Sequence, residues 1–326
     1  MRTPDDRGFT LIEVLIAIVL VGILSAVAVV GVGRLTDRAG AATCSASADA
    51  ALTAANTFLV NNATYPATFE DLTRTTNGGA PLVVPANATV AGRTMTLGGW
   101  RLSMSTASPP AFTCAAFSTT VVDAAHTGGW SFLDDNAALG NSGQFVTGPG
   151  TPPSGTGSAR LNLAGPTQGA ILSIGSFAST RLDRITNMTY STFQPAGSLA
   201  PVLAFDVRFR PTDSGYAGRL VFMQDSSVTS ATPVWRTWST LDGRWYASHA
   251  DRGTPQSSLG ACPMSSPCTW AQVLTRFPEA SISPGGALVF KAGSNWPASS
   301  YNVDGFTIGV RDAAGATTET TYDFEP

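Results

Sequence analysis

Residues 8–33 read GFTLIEVLIAIVLVGILSAVAVVGVG, an almost uninterrupted apolar stretch near the start of the chain. From Phe9 to Val32 this run is 24 residues long, and a helix that spans a bilayer needs about 20. One carboxylate, Glu13, lies near its beginning. Because a charge in the hydrocarbon region costs about 2.5–3.5 kcal/mol, a plain membrane anchor does not explain Glu13. The stretch therefore predicts a transmembrane helix with a further role.

The segment GFTLIEV, residues 8–14, resembles the prepilin cleavage and methylation motif of type IV pilins and type II secretion pseudopilins. The resemblance implies that a prepilin peptidase cuts after Gly8, removes the leader peptide 1–8 and N-methylates Phe9. It also implies that Glu13 pairs with the Phe9 amine of a neighbouring subunit when the helices assemble into a filament. The expected partners are therefore the peptidase, the membrane and other pilin subunits.

The residues around the cleavage junction have the physical properties that this role requires. A buried amine–carboxylate pair adds little stability but sets the register between neighbouring helices. Gly8 lets a protease approach the backbone closely, and Arg2 and Arg7 place the leader on the cytoplasmic side. We expect residues 9–33 to form the transmembrane and polymerisation helix of a single-pass membrane protein. The head of this membrane protein is expected to lie outside the cytoplasm and, after assembly, to be part of a cell-surface filament.

Two other interpretations of the N-terminus remain open. The AVA at residues 26–28 has the form of a secretory signal-peptide cleavage site. Against it, the apolar run continues past this point, and Glu13 would interrupt the apolar region of such a peptide. A plain single-span anchor leaves both Glu13 and the Gly8–Phe9 junction unexplained.

The composition indicates a β-rich extracellular protein without a nucleic-acid partner. Of the 326 residues, 13% are charged and 43% are hydrophobic, and Gly and Pro are abundant. This mixture suits extracellular β domains with many turns. The net charge of −3 and the pI near 5.3 argue against nucleic-acid binding, which usually needs a basic surface.

The four cysteines indicate disulfides. Cys44, Cys114, Cys262 and Cys268 include no C-x-x-C pair, so a zinc site is not indicated. An even number of cysteines in an exported chain suggests two disulfides, and four cysteines allow three pairings. We favour Cys44–Cys114 and Cys262–Cys268, because each pair then stays within one predicted domain. The sequence itself leaves the pairing open.

Residues 34–125 are predicted to form a pilin-like head. An Ala-rich helical pattern covers residues 41–60 and ends at 61–62. The Tyr-Pro pair at 65–66 is similar to the sequence that follows the long helix in many pilins and pseudopilins. Three short antiparallel strands, separated by Gly and Pro pairs, are then predicted: Thr94–Leu97, Arg101–Ser105 and Phe112–Ser118.

Residues 126–326 are predicted to form a second, mainly β domain. Apolar residues alternate with others over 201–210, which indicates a strand with one buried and one wet face. Asp-Gly at 242–243 is a hairpin signal between two strand-like runs. GGWSF at 128–132 and NVDGFTIG at 302–309 resemble parts of the lectin-like and carbohydrate-binding jelly rolls of secreted bacterial proteins, which implies an antiparallel sandwich. The predicted strands are Ser158–Leu163, Ala170–Phe177, Pro201–Arg210, Arg219–Gln224, Val234–Leu241, Arg244–His249, Ala287–Lys291 and Gly305–Val310. The whole chain is thus predicted to be α+β.

Two kinds of ligand site are predicted in this second domain. Six of the seven Trp lie there, and exposed aromatic rings stack on sugars or partner surfaces. We expect Trp245 and Trp270, near predicted loops, to contact a carbohydrate or another surface ligand, although most tryptophans pack inside domains. Four aspartates offer oxygen ligands to a structural Ca²⁺, and are otherwise solvated turn residues: Asp134, Asp135, Asp304 and Asp323.

The sequence carries no recognisable catalytic motif. The phosphate-binding G-x-x-x-x-G-K-[ST] loop, H-E-x-x-H and G-x-S-x-G are absent, and the acids are too scattered to indicate a glycosidase pair. The prediction is a non-enzymatic minor pilin or pseudopilin whose head binds a ligand, for adhesion. The alternatives are a minor pseudopilin of a type II secretion system that contacts exported cargo, and a membrane-anchored surface hydrolase.

Overall fold

The computed structural model falls into two compact units, one ending at Cys114 and the other beginning at Ala115, and each is described by itself. The predicted leader, the helix over 9–33 and the residues Gly8, Phe9 and Glu13 lie outside the described residues. No helix among the described residues is long and apolar enough to cross a membrane. The structure describes residues 40, 43–74, 82–86, 88–134, 143–194, 199–213, 217–225, 232–248, 262–293 and 296–326.

The first unit begins with helix α1 (43–62). Ala has the highest helix propensity of all residues, and Ala51 and Ala55, one turn apart, are fully buried on one side of α1. Small side chains on this face let the rest of the unit pack close to the helix axis. The helix ends where Ala63 takes a positive φ of 58°, a conformation that does not continue a right-handed helix. The helical pattern predicted over 41–60 is confirmed from residue 43 onwards.

A short helix and a small antiparallel sheet complete the first unit. Phe69 and Leu72 from the helix pack with Met95 and Leu102 from the sheet in one buried cluster. The sheet strands pair in chain order, so the predicted short antiparallel strands are present, and β2 has the predicted bounds. The elements are α2 (Phe69–Thr73), β1 (Ala88–Ala91), β2 (Thr94–Leu97), β3 (Trp100–Met104) and the beginning of β4 (Phe112–Val122).

Both disulfides join the cysteines that the sequence favours. Cys44 is bonded to Cys114 in the first unit, across a separation of 70 residues. Cys262 is bonded to Cys268 in the second unit, across a separation of 6. The long bridge ties the start of α1 to β4, whereas the short one closes a small loop whose two cysteines are buried.

The second unit contains two β-sheets, and a long strand, β17, organises the first of them. One edge of β17 pairs with β9 along most of its length. The other edge pairs with β7 over its first half and with β18 over its second half. Beyond these, β12 pairs with β9, β6 with β7, and β4 runs parallel to β18. The strands of this first sheet are β4, β6 (Gly143–Thr147), β7 (Gly157–Leu163), β9 (Ile185–Gln194), β12 (Val234–Ser239), β17 (Ser299–Arg311) and β18 (Thr317–Phe324).

The second sheet is antiparallel, in the order β14-β13-β11-β10-β16-β8-β5, with β15 beside β10. Helix α3 (Trp270–Arg276) follows β14 and begins with a capping box between Thr269 and Gln272. No pattern in the sequence predicted α3. The strands of this sheet are β5 (Trp130–Asp134), β8 (Ala170–Ile174), β10 (Val202–Arg208), β11 (Gly218–Met223), β13 (Arg244–Ser248), β14 (Cys268–Thr269), β15 (Ser281–Ile282) and β16 (Leu288–Ala292).

The two sheets of the second unit pack face to face around one aromatic core. Trp130 on β5 of the second sheet contacts Phe306 and Phe324 of the first sheet, with ring centroids 5.9 and 5.2 Å apart. Phe290 on β16 contacts Phe306 and Tyr190 of the first sheet at 5.2 and 5.1 Å. Aromatic pairs at such distances add about 0.5–1.5 kcal/mol each beyond their buried area. The predicted β-sandwich is therefore confirmed.

Strand β10 shows what its alternating pattern determines. Leu203, Phe205 and Val207 are fully buried in the core between the sheets, as the period of two predicts. The opposite face is more buried than predicted, because Ala204 packs beside Val221 in a small apolar cluster on the outer face of the second sheet.

The hairpin predicted at Asp242-Gly243 is wrong. The strands on either side, β12 and β13, pair with different partners in different sheets. A turn is present, since the Gly243 N–H donates to the Thr240 carbonyl at 3.2 Å, but it leads the chain from one sheet to the other. The physical reason is that both strands contribute a Trp to the core between the sheets, Trp238 from β12 and Trp245 from β13. The two rings enter that core from opposite sides, so β12 and β13 lie in different sheets.

Candidate ligand-binding site on the first sheet

A row of five side chains crosses the outer face of the first sheet. Residues that lie directly opposite one another on paired strands share a face, so the strand register assigns them to one surface. The row runs from an edge strand through the centre of the sheet to the far edge. We call it the binding strip, and its members are Trp235 on β12, Phe193 on β9, Asn302 on β17, Arg160 on β7 and Gln144 on β6.

The outward direction of the strip follows from the residues next to its members. On β7, Ala159 and Leu161 are fully buried in the core, so Arg160 between them faces away from it. On β17, Tyr301 and Val303 are core residues, which places Asn302 on the outer face in the same way.

Two aromatic rings form one end of the strip. Phe193 and Trp235 are in contact at 5.6 Å between ring centroids, with an angle of 62° between the ring planes. Both side chains are half-buried. Trp235 Nε1 donates a hydrogen bond to the Pro149 carbonyl oxygen at 2.7 Å, which fixes the orientation of the indole. This end offers a rigid apolar surface at an edge of the sheet.

Polar side chains form the rest of the strip. Asn302 is 4% exposed, and its amide Nδ2 donates to Ser158 Oγ at 2.9 Å. Arg160 is half-buried and Gln144 is exposed. The Nε of Arg160 is buried and has no hydrogen-bond partner. The groups of the strip that reach solvent are therefore the two aromatic rings, the Arg160 guanidinium and the Gln144 amide, whereas the Asn302 amide is covered and bonded to Ser158.

The loop over residues 148–157 lies against the aromatic end of the strip, where a Cβ at Gly150 would be 3.8 Å from the Phe193 ring, and it is held by carboxylates. Ser154 N–H donates to Asp304 Oδ2 at 2.9 Å. Thr156 donates its N–H and its Oγ1–H to the two oxygens of Glu325, at 2.6 and 2.9 Å. Gly155 has a φ of +54°, and a side chain there would collide with the carboxylate of Glu325. The loop therefore sits on β17 and the C-terminal residues with little freedom, and it carries the carbonyl that orients the aromatic end of the strip.

Burial changes the protonation of these carboxyls. Burial raises the pKa of Asp304 to about 7, although hydrogen bonds from backbone N–H groups lower it in part. Burial and then the nearby Glu325 raise the pKa of Asp323. Asp323 Oδ1 is buried without a hydrogen-bond partner. This corner of the sandwich is consequently sensitive to pH in the range where Asp304 changes its charge.

The structure does not assemble the predicted calcium ligands. Asp304 uses its two oxygens to accept from the backbone N–H groups of Ser154 and Phe324. Asp134 lies at the end of β5 in the second sheet, whereas Asp304 and Asp323 lie in the first. In the described part of the chain, no group of three or more His, Cys, Asp or Glu residues is arranged to hold a metal ion. Asp135 lies outside the described residues.

The prediction that Trp245 and Trp270 contact a ligand is wrong. They are 0% and 7% exposed and pack on each other with ring centroids 5.1 Å apart. Trp245 also stacks on Phe205 at 5.5 Å, and its Nε1 donates to the Thr240 carbonyl at 2.9 Å. Both rings belong to the core: Trp270, the first residue of α3, packs with Trp245 of β13 and Phe205 of β10.

Sequence reasoning missed the strip. It assigned no strand to the residues of β6 or β9, so Gln144 and Phe193 had no predicted position. The signal available in the sequence was weak: Arg160 stands between Ala159 and Leu161, an alternation that marks its outward direction but identifies no neighbours. Only strand pairing brings the five side chains together.

The comparison with family models concerns the N-terminus. Residues 4–29 match the prokaryotic N-terminal methylation motif. The methylation motif confirms the resemblance of this segment to the prepilin motif of pilins and pseudopilins, and it covers the segment outside the described residues. A search of curated proteins finds no match to the chain.

Among solved structures, the similar chains include a family 11 carbohydrate-binding module from Clostridium thermocellum in complex with a β-1,3-1,4-mixed-linked tetrasaccharide. The identity is 12% and the TM-score 0.30, over 55% of this chain and 86% of that one. The same family of module from the cellulase Lic26A-Cel5E of that organism gives 11% and 0.30, over 55% and 85%. Tailspike protein 4 of bacteriophage CBA120 gives 8% and 0.26, over 59% and 19%. These scores are too low to support a conclusion about fold or ligand.

Proposed function

We propose that this protein is a minor subunit of a type IV pilus-like filament, processed by prepilin peptidase and held in the membrane by residues 9–33. The match of residues 4–29 to the methylation motif carries the proposal. Methylation of a new N-terminus requires a cut that exposes it, and Gly8 is the position of that cut. Glu13, the single charge of the apolar run, then has its counter-ion in the Phe9 amine of the next subunit.

The second unit is, in this proposal, a non-enzymatic head that binds an extracellular ligand for adhesion. Its topology supports a jelly roll, because β7, β9 and β12 lie in the first sheet whereas β8, β10 and β13 lie in the second. The binding strip supports binding rather than catalysis, since it has aromatic, amide and guanidinium groups but no nucleophile paired with a base. A head of this size hinders dense packing along a shaft, so we place the subunit at the tip or at low abundance.

A minor pseudopilin of a type II secretion system is the second candidate function. The same methylation motif supports it, and the strip would then contact exported cargo. Deleting the gene separates the two roles. Loss of surface filaments in electron micrographs, with an unchanged set of secreted proteins, supports the pilus, and the reverse result supports the secretion system.

The processing step is tested by mass spectrometry of the mature N-terminus from cells with and without prepilin peptidase. We expect a peptide that begins with N-methylated Phe9 and disappears when the peptidase is absent. Substituting Gly8→Val should also abolish it, because a branched side chain blocks close approach to the backbone, whereas Thr3→Ala in the leader should not. A start at Val29 would instead show signal-peptide cleavage and refute the filament proposal.

A further inference from the structure

A single strand connects the two units of the protein. Strand β4 (Phe112–Val122) begins in the first unit, and the boundary between the units falls within it, at the peptide bond between Cys114 and Ala115. The chain crosses this boundary once. If the first unit is held from its N-terminal side, any pull on the second unit therefore has to pass along β4.

The Cys44–Cys114 disulfide joins the two points at which such a pull enters and leaves the first unit. Cys44 lies at the start of α1, and Cys114 is the last residue of the unit. A covalent bond withstands forces that break hydrogen bonds and open a core, so tension that arrives at Cys44 crosses directly to Cys114. Residues 45–113, which include the rest of α1, α2 and strands β1 to β3, are then bypassed.

Without this bond, the small elements of the first unit would carry the tension themselves. Strands β1 and β2 have four residues each and β3 has five. A single backbone hydrogen bond contributes little net stability, so such short strands offer little resistance. They lie over one small buried cluster that includes Phe69, Met95 and Leu102.

In the second unit, the tension enters lengthwise along β4. This strand runs parallel to β18, with Ala116 beside Thr318 at one end of the ladder. At the other end Val122 lies beside Phe324, and the Val122 carbonyl accepts from the Glu325 N–H at 2.8 Å. The bonds of a parallel ladder are evenly spaced along the strands. A pull on the N-terminal end of β4 therefore loads them together, in shear, and not one after another.

The C-terminal end of β18 is fastened to the rest of the second unit. The Phe324 N–H donates to Asp304 of β17 at 3.2 Å. Glu325 accepts from the N–H and the hydroxyl of Thr156 at 2.6 and 2.9 Å. The strand that resists the pull on β4 is thus held at the end opposite to the one where the load arrives.

From this connectivity we infer that the Cys44–Cys114 disulfide passes tension around the first unit and that the β4–β18 ladder is the mechanical clamp of the second unit. The inference rests on the proposed function, in which the N-terminal segment is held by the membrane or the filament and the head is pulled by what it binds. It gives the long disulfide a role in bearing load, in addition to its effect on the stability of the first unit.

Single-molecule pulling of the full-length protein in detergent, with handles at both termini, tests the bypass. With the bridge intact, residues 45–113 should add nothing to the extended length. The Cys44→Ser/Cys114→Ser variant should extend by about 230–250 Å more, at about 3.3–3.6 Å per residue over the separation of 70. We expect this extension in an event at lower force than the rupture of the second unit. As a matched control, Cys262→Ser/Cys268→Ser should add only about 20 Å.

The clamp is tested by moving one handle. Ala314 lies in the exposed turn between β17 and β18, at the end of β18 that lies beside the start of β4. A handle attached through Ala314→Cys pulls the same end of both strands, so it opens the ladder one bond at a time. With both native disulfides intact, we expect the rupture force to be severalfold lower than with the handle at the C terminus.

The outcomes separate the inference from the function on which it rests. Equal rupture forces in the two pulling geometries would overturn the clamp. The bypass is overturned if the wild type shows the extra 230–250 Å, or if the first unit of the double-serine variant ruptures at or above the force of the second. Melting curves check each variant, and if the double-serine variant does not fold, the wild-type length still decides the bypass. A mature protein without N-methylated Phe9 would instead refute the filament proposal and leave these forces unchanged.

Discussion

Truncation of Trp245 tests whether this residue is part of the core or part of a binding surface. Its ring is 0% exposed, stacks on Phe205 at 5.5 Å and contacts Trp270 at 5.1 Å. Its Nε1 donates to the Thr240 carbonyl. Trp245→Ala therefore removes a large buried ring and one buried hydrogen bond together.

The expected loss of stability follows from these contacts. Truncating a buried aromatic residue to Ala costs about 3–5 kcal/mol. The lost hydrogen bond adds about 1 kcal/mol, and no more, because the Thr240 carbonyl still accepts from Gly243. The total is about 4–6 kcal/mol. For a domain of this size each kcal/mol lowers the melting temperature by about 2–4 °C, so we expect a fall of about 8–24 °C. Trp245→Phe keeps most of the packing and should cost about 2 kcal/mol.

The assay is calorimetric unfolding of the full-length protein with both disulfides intact. Trp235→Ala is the matched control, because this Trp is half-buried on an edge strand and its loss should lower the melting temperature by only a few degrees. A Trp245→Ala variant that melts with the wild type but no longer binds ligand would refute the assignment of Trp245 to the core. It would restore the exposed role that the sequence suggested.

Two further predictions concern the disulfides and pH. Replacing the Cys44–Cys114 pair by Ser should destabilise the first unit by about 4 kcal/mol, and replacing the Cys262–Cys268 pair should destabilise the second unit by about 2 kcal/mol. The two values differ because the first disulfide closes a much longer loop. Urea unfolding measures both losses, and equal losses would contradict the loop-length argument. The pKa of Asp304 is raised from 3.8 to about 7 by burial, so its contribution to stability is fully present below about pH 4 and is lost as the pH rises through 7. When the pH is lowered from 8 to 5, the melting temperature of the wild type should therefore rise relative to that of Asp304→Asn. If the difference between the two melting temperatures does not change with pH, Asp304 keeps its ordinary pKa.

Local patterns in the sequence predicted the elements whose own side chains specify them. The Ala-rich segment predicts α1, and the alternation in β10 predicts which of its faces is buried, because one strand buries one face whatever its partners are. Strand β9 was not predicted, since ITNMTYSTFQ mixes polar and apolar residues on both faces. Its side chains lie in a sheet where even the outer face is partly covered. The pattern of a single strand cannot show that other parts of the chain bury this outer face.

The Asp-Gly turn at 242–243 illustrates the limit of local signals. A tight turn forms there, as its residue types predict. Whether the flanking strands then pair with each other depends on which side of the core each strand must cover. Trp238 and Trp245 enter one core from opposite sheets, so the strands separate. The same two-sided core explains why Trp245 is buried although it follows a turn.

By itself, the sequence determined the match of residues 4–29 to the methylation motif. A motif of this kind is one continuous segment of sequence, so it can be recognised without knowledge of the fold. The binding strip was decided only by the tertiary structure. Its five side chains come from strands spread between Gln144 and Asn302, and β17 brings them to one face by pairing with β7 and β9. Strand register depends on which distant backbone groups meet when the core closes, and no single segment of the sequence carries that information.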